Sequence, residues 1–126
     1  MIRFGAMLLL FAAPGCMGPE AGKVRIVPRS SSKEAGLYKV TALLENNSEE
    51  DIDLEKFTVE MTTFDREGKV LAKGYPFSFE GRVGPYATTR LPLNRPDRDG
   101  RVERSSLSLK DSRGRVISRA EVLPEK

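Results

Sequence analysis

Cys16 is the only cysteine in this 126-residue chain, and histidine is absent. A thiol becomes a good nucleophile beside a base or cation that lowers its pKa, and a structural zinc site needs several thiolates or imidazoles. Neither set is present, and one thiol closes no disulfide within the chain, so Cys16 needs another explanation. Ser30-Ser31-Ser32-Lys33 spaces a serine and a lysine base as S-x-x-K. That chemistry uses a serine at a helix start inside a large cleft, supported by S-D-N and K-T-G elements that the chain lacks; the four residues read as an exposed serine-rich loop. Asp97-Arg98-Asp99-Gly100 offers oxygen ligands before a glycine, but in the calcium-loop register Arg95 would be the first ligand and Ser106 the twelfth, where an acid is required. Asp51, Asp53 and Glu55 sit close enough in sequence for a looser cation site, although solvated turn acids are the commoner arrangement. Paired carboxylates for glycoside hydrolysis need a deep cleft, which a domain this small rarely builds. The expectation is a protein that is not an enzyme and holds no cofactor and no metal.

The setting of Cys16 gives it a different role. Met1-Ile2-Arg3 is a short basic start, followed by an uncharged apolar run from Phe4 to Ala13. That length suits the core of a signal peptide, whereas a membrane-spanning helix needs about 20 apolar residues. The run ends in Ala13-Pro14-Gly15-Cys16, which resembles the lipobox of bacterial lipoproteins, where small residues precede a lipidated cysteine. The resemblance implies cleavage before Cys16, a thioether-linked diacylglycerol on its sulfur and acylation of the new amino terminus. Two or three acyl chains, at about 0.8 kcal/mol per buried methylene, hold a protein durably to a membrane. Cleavage at a nearby Ala-x-Ala-like site, leaving a free periplasmic domain, is the alternative. Met17, rather than Asp, follows the cysteine, and by the same resemblance this favours the outer membrane, facing the periplasm, in a diderm host. The chain thus divides into a signal peptide over 1–15, a lipidated cysteine and Gly/Pro-rich tether over 16–22, and one domain over 23–126.

Charge is unevenly spread. Between Glu45 and Glu67 nine acids face two bases, while between Arg82 and Arg119 ten bases face four acids. Solvated strand faces that partly neutralise one another explain this pattern, and a basic side turned toward an anionic surface is the sharper reading. Its candidate residues are Arg82, Arg90, Arg95, Arg98, Arg101, Arg104, Arg113, Arg115 and Arg119. A net charge of +3 is too small to indicate nucleic-acid binding without such a concentration.

From Lys23 on, apolar residues alternate with polar ones, as in half-buried strands. The inward series is Val24 and Ile26; Tyr38, Val40, Ala42 and Leu44; Phe57, Val59 and Met61; Val70 and Ala72; Phe77 and Phe79; Leu91 and Leu93; Leu107 and Leu109; and Val116, Ala120 and Val122. Asp65-Arg66-Glu67-Gly68 and Asp111-Ser112-Arg113-Gly114 share a D-x-x-G form, in which Asp opens a turn and Gly accepts a positive φ, so each predicts a hairpin. About seven short strands without a helical stripe predict an all-β, antiparallel, immunoglobulin-like sandwich.

The strand ending in Asn46-Asn47-Ser48, the segment Phe57–Val70 with its Asp65-Arg66-Glu67-Gly68 turn, and Gly84-Pro85-Tyr86-Ala87-Thr88 together resemble the FxLYD-type domains of surface lipoproteins. The resemblance implies a sandwich in a cell-envelope setting and carries no catalytic residues. The functional expectation is a membrane-anchored envelope lipoprotein that binds or scaffolds an envelope protein partner. The alternative is a module binding anionic lipid, lipopolysaccharide or cell-wall polymer through its basic C-terminal half.

Overall fold

The computed structural model describes residues 22–124. The expected signal peptide, Cys16 and all of the expected tether but Gly22 lie outside the described residues. Among the described residues are nine strands, β1 (Val24–Glu34), β2 (Leu37–Asn46), β3 (Ile52–Asp53), β4 (Thr58–Phe64), β5 (Val70–Ser78), β6 (Arg82–Val83), β7 (Thr88–Pro96), β8 (Arg104–Lys110) and β9 (Val116–Val122), and a 3-10 turn at Leu54–Lys56. Seven of them build two antiparallel sheets, one in the order β1-β2-β7 and one in the order β9-β8-β4-β5, while β3 and β6 pair as a separate two-residue ribbon. The all-β sandwich expected from the alternation is therefore the observed fold. Lettered in the immunoglobulin manner, the sheets are A-B-E and G-F-C-C′. The fourth long strand hydrogen-bonds to strand C, where the constant-type arrangement would place it beside strand E.

Alternation places the core. On β2 every second residue, from Tyr38 through Val40, Ala42 and Leu44 to Asn46, is buried, and Val59 and Met61 on β4, Leu91 and Leu93 on β7 and Leu107 and Leu109 on β8 meet them from the other strands. Full burial of each such aliphatic side chain contributes about 1.5–3 kcal/mol, so these central positions carry the fold.

Three segments depart from the expectation. The first is Val70 to Phe79, read as two short strands. It forms one strand, whose register against β4 shifts twice between Met61 and Phe64, leaving Val70 exposed. Gly74 sits at the irregular stretch with φ +63, and its N–H donates to Thr62 Oγ1 at 3.1 Å. In β9, a bulge between Val116 and Ser118 turns Ile117 and Ser118 inward, so Ile117 takes the buried place expected of Val116. Finally, Ser30-Ser31-Ser32-Lys33 is not a loop but the upper half of β1, paired with Thr41, Val40, Lys39 and Tyr38. The strongly apolar β2 and a two-residue turn at Ala35-Gly36 override the low strand preference of serine.

The D-x-x-G turns behave as expected. Asp65–Gly68 joins β4 to β5, and Asp111–Gly114 joins β8 to β9. In each, the glycine N–H donates to the Asp carbonyl, and the Asp Oδ1 accepts from the N–H groups two and four residues on, at 2.9–3.0 Å. A third copy, Asp97–Gly100, has the same glycine bond at 3.0 Å. Its Asp97 N–H is tied to Gly36 and its carboxylate to the N–H groups of Arg101 and Val102, so it steers the chain from one sheet to the other.

Candidate binding surface

The two ends of the sandwich follow from the register. Gly22 and Lys23 enter at the end carrying Asn46, the 3-10 turn and the Asp111 turn, while the Ala35-Gly36, Asp65 and Asp97 turns lie at the opposite, distal end. At the entry end Asn46 is fully buried. Its Nδ2 donates to the carbonyls of Glu50, Val83 and Gly84 at 2.7–3.1 Å, and its Oδ1 accepts from the N–H and hydroxyl of Ser48. Asn46-Asn47-Ser48, the end of a strand in the sequence, is thus a clamp that ties the end of β2 to the β6–β7 connection.

The two sheets meet along two flanks. On one, β1 and β9 run side by side without backbone pairing, bridged by side chains: the Ile26 N–H donates to Ser118 Oγ at 3.1 Å, and Ser31 Oγ donates to the Leu123 carbonyl at 3.4 Å. A bulge between Pro28 and Ser30 leaves Arg29 as the extra residue of β1, bending the strand. Above the bulge the flank opens. A groove of about 290 Å³ between Arg29–Ser31 and Glu121–Leu123 adjoins one of about 410 Å³ between Ser31–Lys33, Tyr38, Glu103 and Pro124. That second groove shares Lys33 and Glu103 with a third, of about 340 Å³, reaching Arg101 and the Asp65 turn. Together they form one trough from mid-β1 to the distal end. Beneath it the buried Tyr38 hydroxyl bonds Ser105 Oγ at 2.8 Å. Loss of hydration pushes the Tyr38 phenol up, against the Ser105 bond, and the Asp97 charge adds to the rise; the hydroxyl keeps its proton and serves as a polar anchor for the trough floor.

The nine arginines do not form one face. Arg82, Arg113 and Arg115 lie toward the entry end, Arg90 and Arg119 on strand exteriors, and Arg95, Arg98, Arg101 and Arg104 toward the distal end. Several are engaged within the fold. The Arg95 guanidinium lies 3.9 Å from the Tyr75 ring centroid and Arg104 lies 4.4 Å from that of Phe64, while Arg115 Nε meets Asp111 Oδ2 at 3.0 Å. Arg101 reaches toward the buried Asp65 at 3.9 Å, and Arg104 approaches Glu121 at 3.5 Å at an exposed position where such a pair adds little stability. Arg29, Lys33 and Arg66, none of them in the sequence-based set, line the trough. Their signal was the spacing of Arg29 and Lys33 across three small serines, legible only once that stretch is known to be a strand.

One acid of the 47–57 segment serves the backbone. Asp53 Oδ1 accepts from the Glu55 N–H at 3.0 Å and caps the 3-10 turn. A depression of about 260 Å³ beside it is lined by Ser48, Asp51, Lys56, Phe57 and Arg82 among others. Among the described residues no group of three or more acids or cysteines is placed to hold a metal ion, and no helix is long and apolar enough to cross a membrane.

No protein-family model matches the chain, and no curated protein matches its sequence. Solved structures do resemble it. A DUF1425 family member from Shewanella sp. pv-4 is 14% identical with a TM-score of 0.54, over 70% of this chain and 77% of that one. A structural-genomics target, SoR45, is 12% identical with a TM-score of 0.54, over 82% of this chain and 88% of the other. The likeness is one of fold. It groups the chain with small bacterial β-rich proteins in architecture.

Proposed function

We propose that this protein is a membrane-anchored cell-envelope lipoprotein, held by lipid on Cys16, whose sandwich is a non-catalytic module that binds or scaffolds another envelope protein. The observation that carries the reading is the polarity of the domain. The segment after Cys16 joins the fold at the entry end, and the trough runs to the opposite end, so an anchored chain keeps this trough clear of the membrane. The order of residues in the leader, with Cys16 directly after Ala13-Pro14-Gly15, supplies the anchor. The FxLYD resemblance fits the same reading, since its N-N-S ends β2 and its D-x-x-G turn closes the β4–β5 hairpin. In a diderm host Met17 directs the lipoprotein to the outer membrane, facing the periplasm.

Binding to anionic lipid, lipopolysaccharide or wall polymer is the weaker reading, because its nine arginines are scattered over both ends and the strand exteriors and several are already stacked or paired. Metabolic labelling with a fatty-acid analogue tests the anchor: wild type takes up label and Cys16→Ser does not. Equal labelling of the two would remove Cys16 as the lipid site, and labelling of neither would remove the anchored reading.

A further inference from the structure

We infer that the upper half of β1, Arg29–Glu34, is an edge to which an extended, acidic segment of a partner protein adds as a further strand. This rests on the binding-module reading above and names its surface.

β1 is the outermost strand of its sheet, paired with β2 alone. Its free edge presents unpaired backbone donors and acceptors, a template for another strand. Most edges are guarded by charge, proline or a covering element. Here the guard is charge: Arg29, Lys33 and Glu34 stand exposed beside the small Ser30 and Ser32, and among the described residues the Ser31 hydroxyl bond to the Leu123 carbonyl, at 3.4 Å, is the one bridge from this half of β1 to the chain just after β9; such a guard repels like charge and admits the opposite one. Six extended residues span about 20 Å at roughly 3.3 Å each, and grooves line the edge from Arg29 to Lys33. The exposed Leu123 and the Val122 side give apolar contact on one wall.

The occupant's chemistry follows from the charges left over at the edge: Glu34 is paired with Lys39 and Glu121 of the facing wall with Arg104, so Glu103 is the acid that remains beside the groove. Among the described residues Arg29 has no acidic side chain within salt-bridge distance, and Lys33 Nζ donates to the Gly100 carbonyl at 3.0 Å. Acids four residues apart on an added antiparallel strand would face both, and opposite charges across a strand pair are favourable. A second copy of this chain is the poorer fit. Pairing β1 with itself antiparallel about Ser31 sets Arg29 opposite Lys33, where like charges repel.

The test uses the full-length chain in detergent and a blocked heptapeptide, Thr-Asp-Val-Thr-Val-Asp-Thr, with its acids four residues apart. Amide hydrogen exchange should slow in Arg29–Glu34 when the peptide is added. The same peptide with Lys for Asp should bind about tenfold or more weakly, and Arg29→Glu with Lys33→Glu should reverse that preference. Protection elsewhere than β1, no protection, or a preference unmoved by the charge reversal would overturn the assignment. So would concentration-dependent dimerisation that protects the same amides without peptide. Acylation at Cys16, read by its own label, decides the anchored reading separately, so a failure of this edge is distinguishable from a failure of the module.

Discussion

The two flanks of the sandwich meet the same demand, closing the gap between two sheets, by opposite means. On the β5–β7 flank both edge strands carry proline, Pro76 in one and Pro92 and Pro96 in the other. Arg95 reaches from β7 to stack on Tyr75, which packs edge-to-face on Phe77 at 5.2 Å. Proline removes N–H groups from the template and the charged stack covers the gap, the usual defences of an edge. On the β1–β9 flank the lower half is closed by the buried Ile117 and the Ser118 bond, and the upper half sets three serines among the charged Arg29, Lys33 and Glu34 beside an open trough. One flank is guarded throughout, and the other is sealed at the entry end and open at the distal one. The contrast teaches that the opening is local rather than a general looseness of the fold.

If the lower seam is core, truncating it should cost most. Ile117→Ala should destabilise the chain by about 3 kcal/mol, within the range for buried aliphatic truncation, and the half-buried Phe77→Ala on the guarded flank by about half of that. Chemical denaturation of the two variants gives the ranking, and a larger loss at Phe77 would reverse the contrast. Ser118→Ala strands the Ile26 N–H in a buried place and should cost about 1–3 kcal/mol, whereas Ser31→Ala, at the marginal upper bond, should stay within about 0.5 kcal/mol.

The acid limb probes both flanks through their turns. Asp65 leads into β5 and Asp111 into β9, and both carboxyls are held below the ordinary aspartate value of 3.8. For Asp65 the Lys69 N–H bond is the main cause, outweighing burial, with help from the Glu67 N–H and the charges of Arg101 and Lys69. At Asp111 burial pushes the other way and is outweighed by N–H bonds from Arg115 and Arg113 and by the Arg115 guanidinium. Because the folded values are lowered, their stabilisation is fully present above 3.8 and is lost as pH falls through the folded values. Replacing both by Asn should lower the melting temperature at neutral pH and flatten its fall below pH 4; an acid limb of unchanged slope would show that other groups set it. The smallest effect on stability is expected of Pro92→Thr, within about 0.5 kcal/mol. Its readout is light scattering at rising protein concentration, where the unguarded edge should associate and wild type should not.

How much of this was visible in the residues depends on how regular each strand is. Where alternation is unbroken, as in β2 and β8, the buried set could be read directly, and the Asp65 and Asp111 hairpins followed from turn chemistry. Bulges defeated the reading elsewhere: one extra residue in β9 moved the buried position from Val116 to Ile117, and the shifts in β5 made one strand look like two. The third D-x-x-G, at Asp97, was present in the sequence but its acids drew attention to calcium. Serine preference misread Ser30–Ser32 as a loop, because the strand exists through its partner β2 rather than through its own residues. The trough was hidden for the same reason, since it is assembled from β1, the Asp65 and Asp97 turns and the residues after β9, which only the sandwich brings together.

In-cell photo-crosslinking from the anchored protein tests the contrast directly, with the reactive residue placed once at Ser32 and once at Lys73. The account predicts a discrete cross-linked product from Ser32 on the open flank and none from Lys73 on the guarded one. A product from Lys73 with none from Ser32 would contradict it.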